Sequence, residues 1–215
     1  MNVVLLGPPG AGKGTQAVKL ARTLGLLHLS SGDILRAERQ AKTQLGRQAQ
    51  DFMDRGVLVP DDVILTMMMD HISRPEASGG FLLDGFPRTV AQAEGLDERL
   101  ARKGARIDIV ANMVVEDADV TRRLTGRWSC PVDGRIYHEI YSPPKAAGRC
   151  DDCGAALSRR KDDEPDVVRQ RLRTYHEETE PLEAYYKARG VLESIDASGT
   201  VEEVTDSLQR VCRAR

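Results

Sequence analysis

"GPPGAGKGT", Gly7 to Thr15, decides the fold. It follows the apolar run "NVVLL" (Asn2 to Leu6). It opens a stretch from Lys13 to Leu24 in which Ala17, Leu20, Ala21 and Leu24 share one helical face. A glycine-rich turn between a buried strand and a helix is a phosphate cradle. Glycines let several backbone N–H groups point inward, the helix start adds its positive dipole end, and Lys13 brings a mobile charge to the outer phosphates. In the commoner pattern a Ser or Thr directly follows the lysine as a Mg²⁺ ligand. Here Gly14 intervenes and the hydroxyl comes at Thr15, so Mg²⁺ is expected to be held mainly by phosphates and water.

Outward from this loop, "FLLD" (Phe81 to Asp84), "IDIVANMVV" (Ile107 to Val115) and "LESI" (Leu192 to Ile195) read as further buried strands. Helical patterns lie between them: Asp61 to Ile72, Val90 to Arg102, Pro165 to Lys187 and Val201 to Val211. Pro165 suits a first helical turn, with Asp162 or Asp163 as its cap, and Pro181 should kink or break the same helix. Strands alternating with helices imply an α/β fold, a parallel sheet wrapped on both faces. Two segments break the rhythm: Ser30 to Val59, polar and mostly helical, and Gly126 to Asp163, where "RIYHEIY" suggests small antiparallel β-structure. Both read as insertions on the core.

With 31 basic and 33 acidic residues among 215, the net charge is -2. That balance gives no reason to expect a nucleic-acid or membrane partner. The opening "MNVVLLGPPG" is too short for a signal segment, and no run approaches the ~18 apolar residues of a membrane span. A cytoplasmic location is expected, and a monomer, since no long apolar stripe is evident.

Asp84 ends an apolar strand, where such sheets gather their ligands. It is a candidate to orient Mg²⁺ through its waters. Arg36, Arg88, Arg127, Arg160 and Arg171 fall near strand ends or in the insertions. Phosphoryl transfer is catalysed mostly by positioning and charge stabilisation, and arginine's planar fork suits phosphate oxygens.

"GPPGAGKGT", "SSGDILR", "GVLVPDD", "FLLDGFPRT", "LTGR", "GRIYH", "PPK", "RKDDEPDVVRQRL" and "YHEETEPL" stand in one order along essentially the whole chain. In this the sequence resembles the adenylate kinases, in the long bacterial form with an extended lid. The resemblance implies a P-loop kinase core with a five-stranded parallel sheet (1–29, 60–125 and 164–215), a helical NMP-binding insertion (30–59) and a small β-rich lid (126–163). It implies reversible phosphoryl transfer from Mg²⁺-ATP to AMP, giving two ADP, in adenine nucleotide homeostasis. Carried over by motif, Gly10, Ala11, Gly12, Lys13, Gly14 and Thr15 bind ATP phosphates. Arg127 and the Ile136–Tyr137 pair hold ATP from the lid, and Gly199 meets its adenine through the main chain. Ser31 and Arg36 hold AMP, with Val57, Leu58 and Val59 at its base. Gly85, Phe86, Pro87, Arg88 and Gln92 complete that site, while Arg160 and Arg171 clamp the transferring phosphate.

The lid also carries three of the four cysteines; Cys212 stands alone. Cys130 and Asp133 are followed by Gly134, Cys150 and Cys153 by Gly154. Two ligand pairs with one spacing, each closed by glycine, suggest two knuckles around a structural Zn²⁺. His138 is a rival fourth ligand, and a metal-free lid with free thiols is the other alternative. For the whole chain the alternatives are a kinase for another nucleoside monophosphate, or a zinc-containing nucleotide-binding module without turnover.

Overall fold

The computed structural model describes residues 1–214. Five parallel strands form the central sheet in the order β2-β3-β1-β4-β7: β1 (Asn2–Leu6), β2 (Leu27–Ser30), β3 (Phe81–Asp84), β4 (Ile109–Val114) and β7 (Leu192–Asp196). Strand alternation sends Val4, Leu6, Leu83 and Val110 to one face. There they meet α4 (Asp61–Ile72), α5 (Val90–Ala101) and α8 (Leu182–Ala188). Val3, Leu5, Leu82 and Ile109 point to the other face, against α1 (Lys13–Leu24) and α9 (Val201–Arg213). Cys212 is fully buried in that second layer, an apolar filler rather than a reactive thiol.

Helices α2 (Ser31–Gln40) and α3 (Gln44–Arg55) form a helical pair between β2 and α4. Helix α6 (Asp117–Thr125) leads into the antiparallel pair β5 (Arg127–Ser129) and β6 (Ile136–His138), and α7 (Pro165–Thr174) leads back to the core. Among the described residues, no helix is long and apolar enough to cross a membrane.

The structure departs from the sequence reading in four places. The fifth strand is β2, "LHLS", four residues at the sheet edge directly after α1; its polar His28 hides the strand pattern. Strand β4 begins at Ile109 rather than Ile107; Asp108 just before it is tied to Asn2 twice, its carboxylate accepting the Asn2 N–H at 2.7 Å and its own N–H donating to the Asn2 carbonyl at 2.9 Å. Neither Asp162 nor Asp163 caps α7. The cap position is Glu164, without a side-chain bond, and both aspartates are engaged by arginines instead. The helix expected through Lys187 ends at Thr174, passes through a wider turn (Tyr175–Thr179), and resumes as α8 after Pro181.

Candidate active site

The loop after β1 packs so closely on the sheet that a Cβ at Gly7 would lie 2.4 Å from the Met113 carbonyl oxygen. Gly12, at φ 94°, turns the chain into α1. Lys13 Nζ folds back over the loop and donates to the carbonyls of Gly7 (2.6 Å) and Pro8 (2.7 Å). Burial lowers its pKa to about 7, with Asp84 opposing and Arg88, Arg171 and Arg127 adding to the fall. Asp84 sits at the end of β3, in register with Leu5. Its Oδ2 lies 3.4 Å from where a Gly14 Cβ would stand. Gly14 and Thr15 face solvent, while Ala11 is buried.

Of the five arginines singled out in the sequence, Arg88, Arg127 and Arg171 act on Lys13, and Arg36 and Arg160 act on those arginines in turn. Arg88 is pulled down to about 10, first by burial, then by Arg171. Arg160 also falls to about 10, by burial and then by Arg36 and Arg127. Arg171 is lowered by burial, with Asp162 opposing. All three remain charged at neutral pH. These five arginines, with a Lys13 only partly charged near neutral pH, are met by Asp33, Asp84, Asp162 and Asp163, so positive charge is in excess. Arg36 donates to Asp33 at 2.5 Å. Arg127 is held by Asp163 on two prongs, and Arg171 donates to the Asp162 carbonyl (2.8 Å) and Asp163 (3.3 Å).

Beside this cluster lies a cleft whose walls include Ser31, Arg36, Val57, Leu58, Val59 and Gln92. Ser31 Oγ donates to the Gly85 carbonyl at 2.6 Å. Gly85 holds φ 73°, and a Cβ there would meet Ser31 Oγ at 2.9 Å. Both ends of the Gln92 amide are engaged: Oε1 accepts the Arg88 N–H and Nε2 donates to Asp61, each at 2.7 Å. Phe86 and Pro87 are buried, Phe86 in the core, which leaves their main chain for a ligand.

In the Gly126–Asp163 segment the two knuckles repeat each other bond for bond. Cys130 N donates to Arg135 O and Gly134 N to Cys130 O; Cys150 N donates to Ala155 O and Gly154 N to Cys150 O. Asp133 accepts the N–H of Arg135 at 2.9 Å, the position Cys153 holds toward Ala155. The four ligand atoms of Cys130, Asp133, Cys150 and Cys153 all lie within 4.8 Å of one another. Hydrogen bonds from Arg135 N and the Cys150 thiol hold the Asp133 carboxyl well below the usual carboxylate range. Three thiols and a carboxylate so gathered fit a tetrahedral zinc ion. His138 is turned away from this group: Nδ1 accepts from Ile140 and Tyr141, and Nε2 donates to the Arg122 carbonyl at 3.2 Å. Tyr137 is buried beside the knuckles, its hydroxyl accepting the Asp151 N–H at 2.7 Å. Ile136 is exposed at the strand edge.

Two groups escaped the sequence reading. Arg123, in the last turn of α6, bridges the phosphate loop to the turn that carries Gly199. It donates to Ala197 O (3.0 Å), Ser198 O (3.4 Å) and Ala11 O (3.5 Å). No local pattern marked it, since its partners lie 74 to 112 positions away in the chain. The second is the Asp162–Asp163 pair, visible in "RKDD" but read as a helix cap.

The adenylate kinase family model matches residues 5–191. Adenylate kinases of three organisms align over nearly the full length. That of Streptomyces avermitilis is 49% identical over 98% of both chains. That of Acidothermus cellulolyticus is 51% identical over 95% of this chain and 94% of its own. That of Methanothrix thermoacetophila is 44% identical over 98% of both. A phosphate loop flanked by Arg88, Arg127 and Arg171 and a likeness over nearly the whole chain lead to one conclusion: the chain belongs to the adenylate kinase family.

Proposed function

We propose that the cation cluster joins two nucleotide sites and carries a phosphoryl group between them. Family membership supplies the reaction, ATP + AMP ⇌ 2 ADP. The single observation that carries the residue roles is the excess positive charge shared by Lys13, Arg36, Arg88, Arg127, Arg160 and Arg171. Such a cluster is costly in an empty protein and favourable around a polyphosphate.

Gly10 to Thr15 wrap the ATP phosphates with N–H groups, and Lys13 follows the outer phosphates. Ser31, Arg36, Gln92 and the Val57–Val59 wall hold AMP. Arg88, Arg160 and Arg171 stabilise charge on the transferring group. No side chain need act as an essential general base, because the AMP phosphate is already anionic near neutral pH. Adenylate kinases use Mg²⁺ with ATP, and Asp84 would orient its waters. The ion would supply charge neutralisation on the phosphate oxygens.

Residues 30–59 and 126–163 act as two covers on a core of 1–29, 60–125 and 164–215. Closing over both nucleotides, they exclude the water that would otherwise hydrolyse ATP. Arg127, Ile136 and Tyr137 belong to the lid side of the ATP site, and Gly199 meets the adenine. Cys130, Asp133, Cys150 and Cys153 would hold a structural Zn²⁺, which would stiffen the lid without taking part in the chemistry. The enzyme works as a cytoplasmic monomer. A coupled assay of ADP production with AMP, GMP, CMP and UMP as acceptors tests the proposal. Turnover favouring another acceptor, or nucleotide binding without turnover, would refute it.

A further inference from the structure

The turn after α7 is wider than α-helical: Glu180 N donates to Tyr175 O, five residues back, at 2.9 Å. Such one-residue insertions into helices recur at functional sites. Here the insertion decides which way Thr179 faces. Arg171 and Thr174 of α7 both look toward the AMP cleft. Arg171 lines it, and Thr174 Oγ1 donates to the Gly56 carbonyl at 3.3 Å, just before Val57. At about 100° per residue in a regular α-helix, Thr179 would sit roughly 140° around from Thr174. One extra residue in the turn reduces that to about 40° and returns Thr179 to the same face.

There Thr179 is buried, and its Oγ1 donates to the main-chain carbonyl of Arg88 at 2.8 Å. The Arg88 N–H is already fixed by Gln92 Oε1 at 2.7 Å, and its Nε by the Gly85 carbonyl at 2.7 Å. Arg88 is thereby tied down at three points, and Thr179 is the one that comes from the segment following the lid.

We infer that Thr179 is a positioning residue for the phosphoryl transfer, and that the wide turn exists to aim it at Arg88. The inference rests on the reading of Arg88 as a phosphate-contacting group. Without the hydroxyl, a buried carbonyl loses its donor and the Arg88 backbone gains freedom. The guanidinium then meets the acceptor phosphate less well aligned, while the ATP side is untouched.

Thr179→Val keeps shape and removes the donor; Thr179→Ser keeps the donor; Thr179→Ala checks that valine adds no crowding. Steady-state kinetics are measured well below each variant's melting temperature. In Val and Ala, kcat/KM for AMP should fall about tenfold or more, KM for ATP should stay unchanged, and Ser should stay near wild type. Arg88→Ala, measured alongside, should fall much further. If Arg88→Ala is active, the reading of Arg88 fails. If Arg88→Ala is crippled while Thr179→Val and Thr179→Ala keep the wild-type AMP constants, the positioning role is overturned. A KM for ATP that rose as much as the KM for AMP would also overturn it, marking a structural role only. Should Val and Ala not fold, Ser decides. Folded Ser with a tenfold loss toward AMP would refute the claim, and folded Ser at wild-type activity would support it.

Discussion

Arg127 and Asp163 form a two-pronged ion pair, Nε to Oδ2 at 2.8 Å and Nη2 to Oδ1 at 2.6 Å, with Asp163 only 3% exposed. Asp163 also meets Arg171 at 3.3 Å. One carboxylate therefore orients two of the arginines proposed to act on phosphate. Removing it leaves Arg127 poorly solvated and without its counter-charge, and leaves Arg171 with Asp162 alone, at 3.2 Å. Asp163→Ala should destabilise the empty protein by on the order of 3 kcal/mol and lower kcat at least tenfold. A bisubstrate analogue joining two adenosines through phosphates should restore much of the lost melting temperature, because its charge replaces the carboxylate. Thermal melts with and without the analogue check this. A melting loss the analogue does not reduce would contradict the charge argument.

Lys13 carries the second prediction. In the empty site burial lowers its pKa to about 7, so at about pH 8 the amine is largely neutral. Phosphate oxygens favour the charged form and raise the pKa again. Nucleotide binding at that pH should take up close to one proton, an uptake that fades below about pH 6, where the amine is already charged. Calorimetry in buffers of different ionisation enthalpy measures it. Lys13→Met should abolish the uptake and lower kcat by orders of magnitude while the fold persists.

His176 gives stability a small pH dependence where the turn after α7 meets α6. It bonds Glu180 at 2.6 Å and Asp117, on α6, at 3.0 Å. Tyr175 stacks edge-on at 5.3 Å. Glu180 first and Asp117 second raise its pKa above 6.5. A raised pKa favours the imidazolium in the folded state. The contribution is fully present below 6.5 and is lost as pH rises through the raised value. With the side chain 44% exposed, the effect is small. His176→Gln should lie below wild type in melting temperature at mildly acid pH and converge with it in alkali. A gap that widened with pH would refute the assignment.

Particular residues show how far the sequence could be read. Gly7 to Thr15 declared both strand and helix, because a phosphate loop has a fixed context. Four strands were apolar enough to stand out; "LHLS" was not, since an edge strand with a histidine lacks that signal. The arginines were legible as residues but their anchors were not. Asp163, Thr179 and Arg123 act across 36, 91 and 112 positions of chain, and such pairings are set by packing rather than by local pattern. The wide turn at Tyr175–Thr179 was invisible for a related reason. Pro181 announces a break, but not the extra residue before it.

The lid metal gives the last prediction. Asp133 stands where a fourth cysteine would complete two equal knuckles, and its N–H donor from Arg135 matches that of Cys153 from Ala155. The ring nitrogens of His138 are both engaged elsewhere. Asp133→Cys should therefore retain zinc with four thiolates, and Asp133→Ala should weaken binding. His138→Ala should keep the metal while loosening the turn at Ile140 and Tyr141. Zinc held by these four residues would stabilise the folded segment by mass action, so a chelator should lower the melting temperature. Activity at moderate temperature should survive better than stability, because the metal has no open position for substrate. Elemental analysis of the three variants and the wild type decides. Zinc lost in His138→Ala but kept in Asp133→Ala would reverse the ligand choice. A wild-type protein that takes up no zinc on supplementation would remove the site.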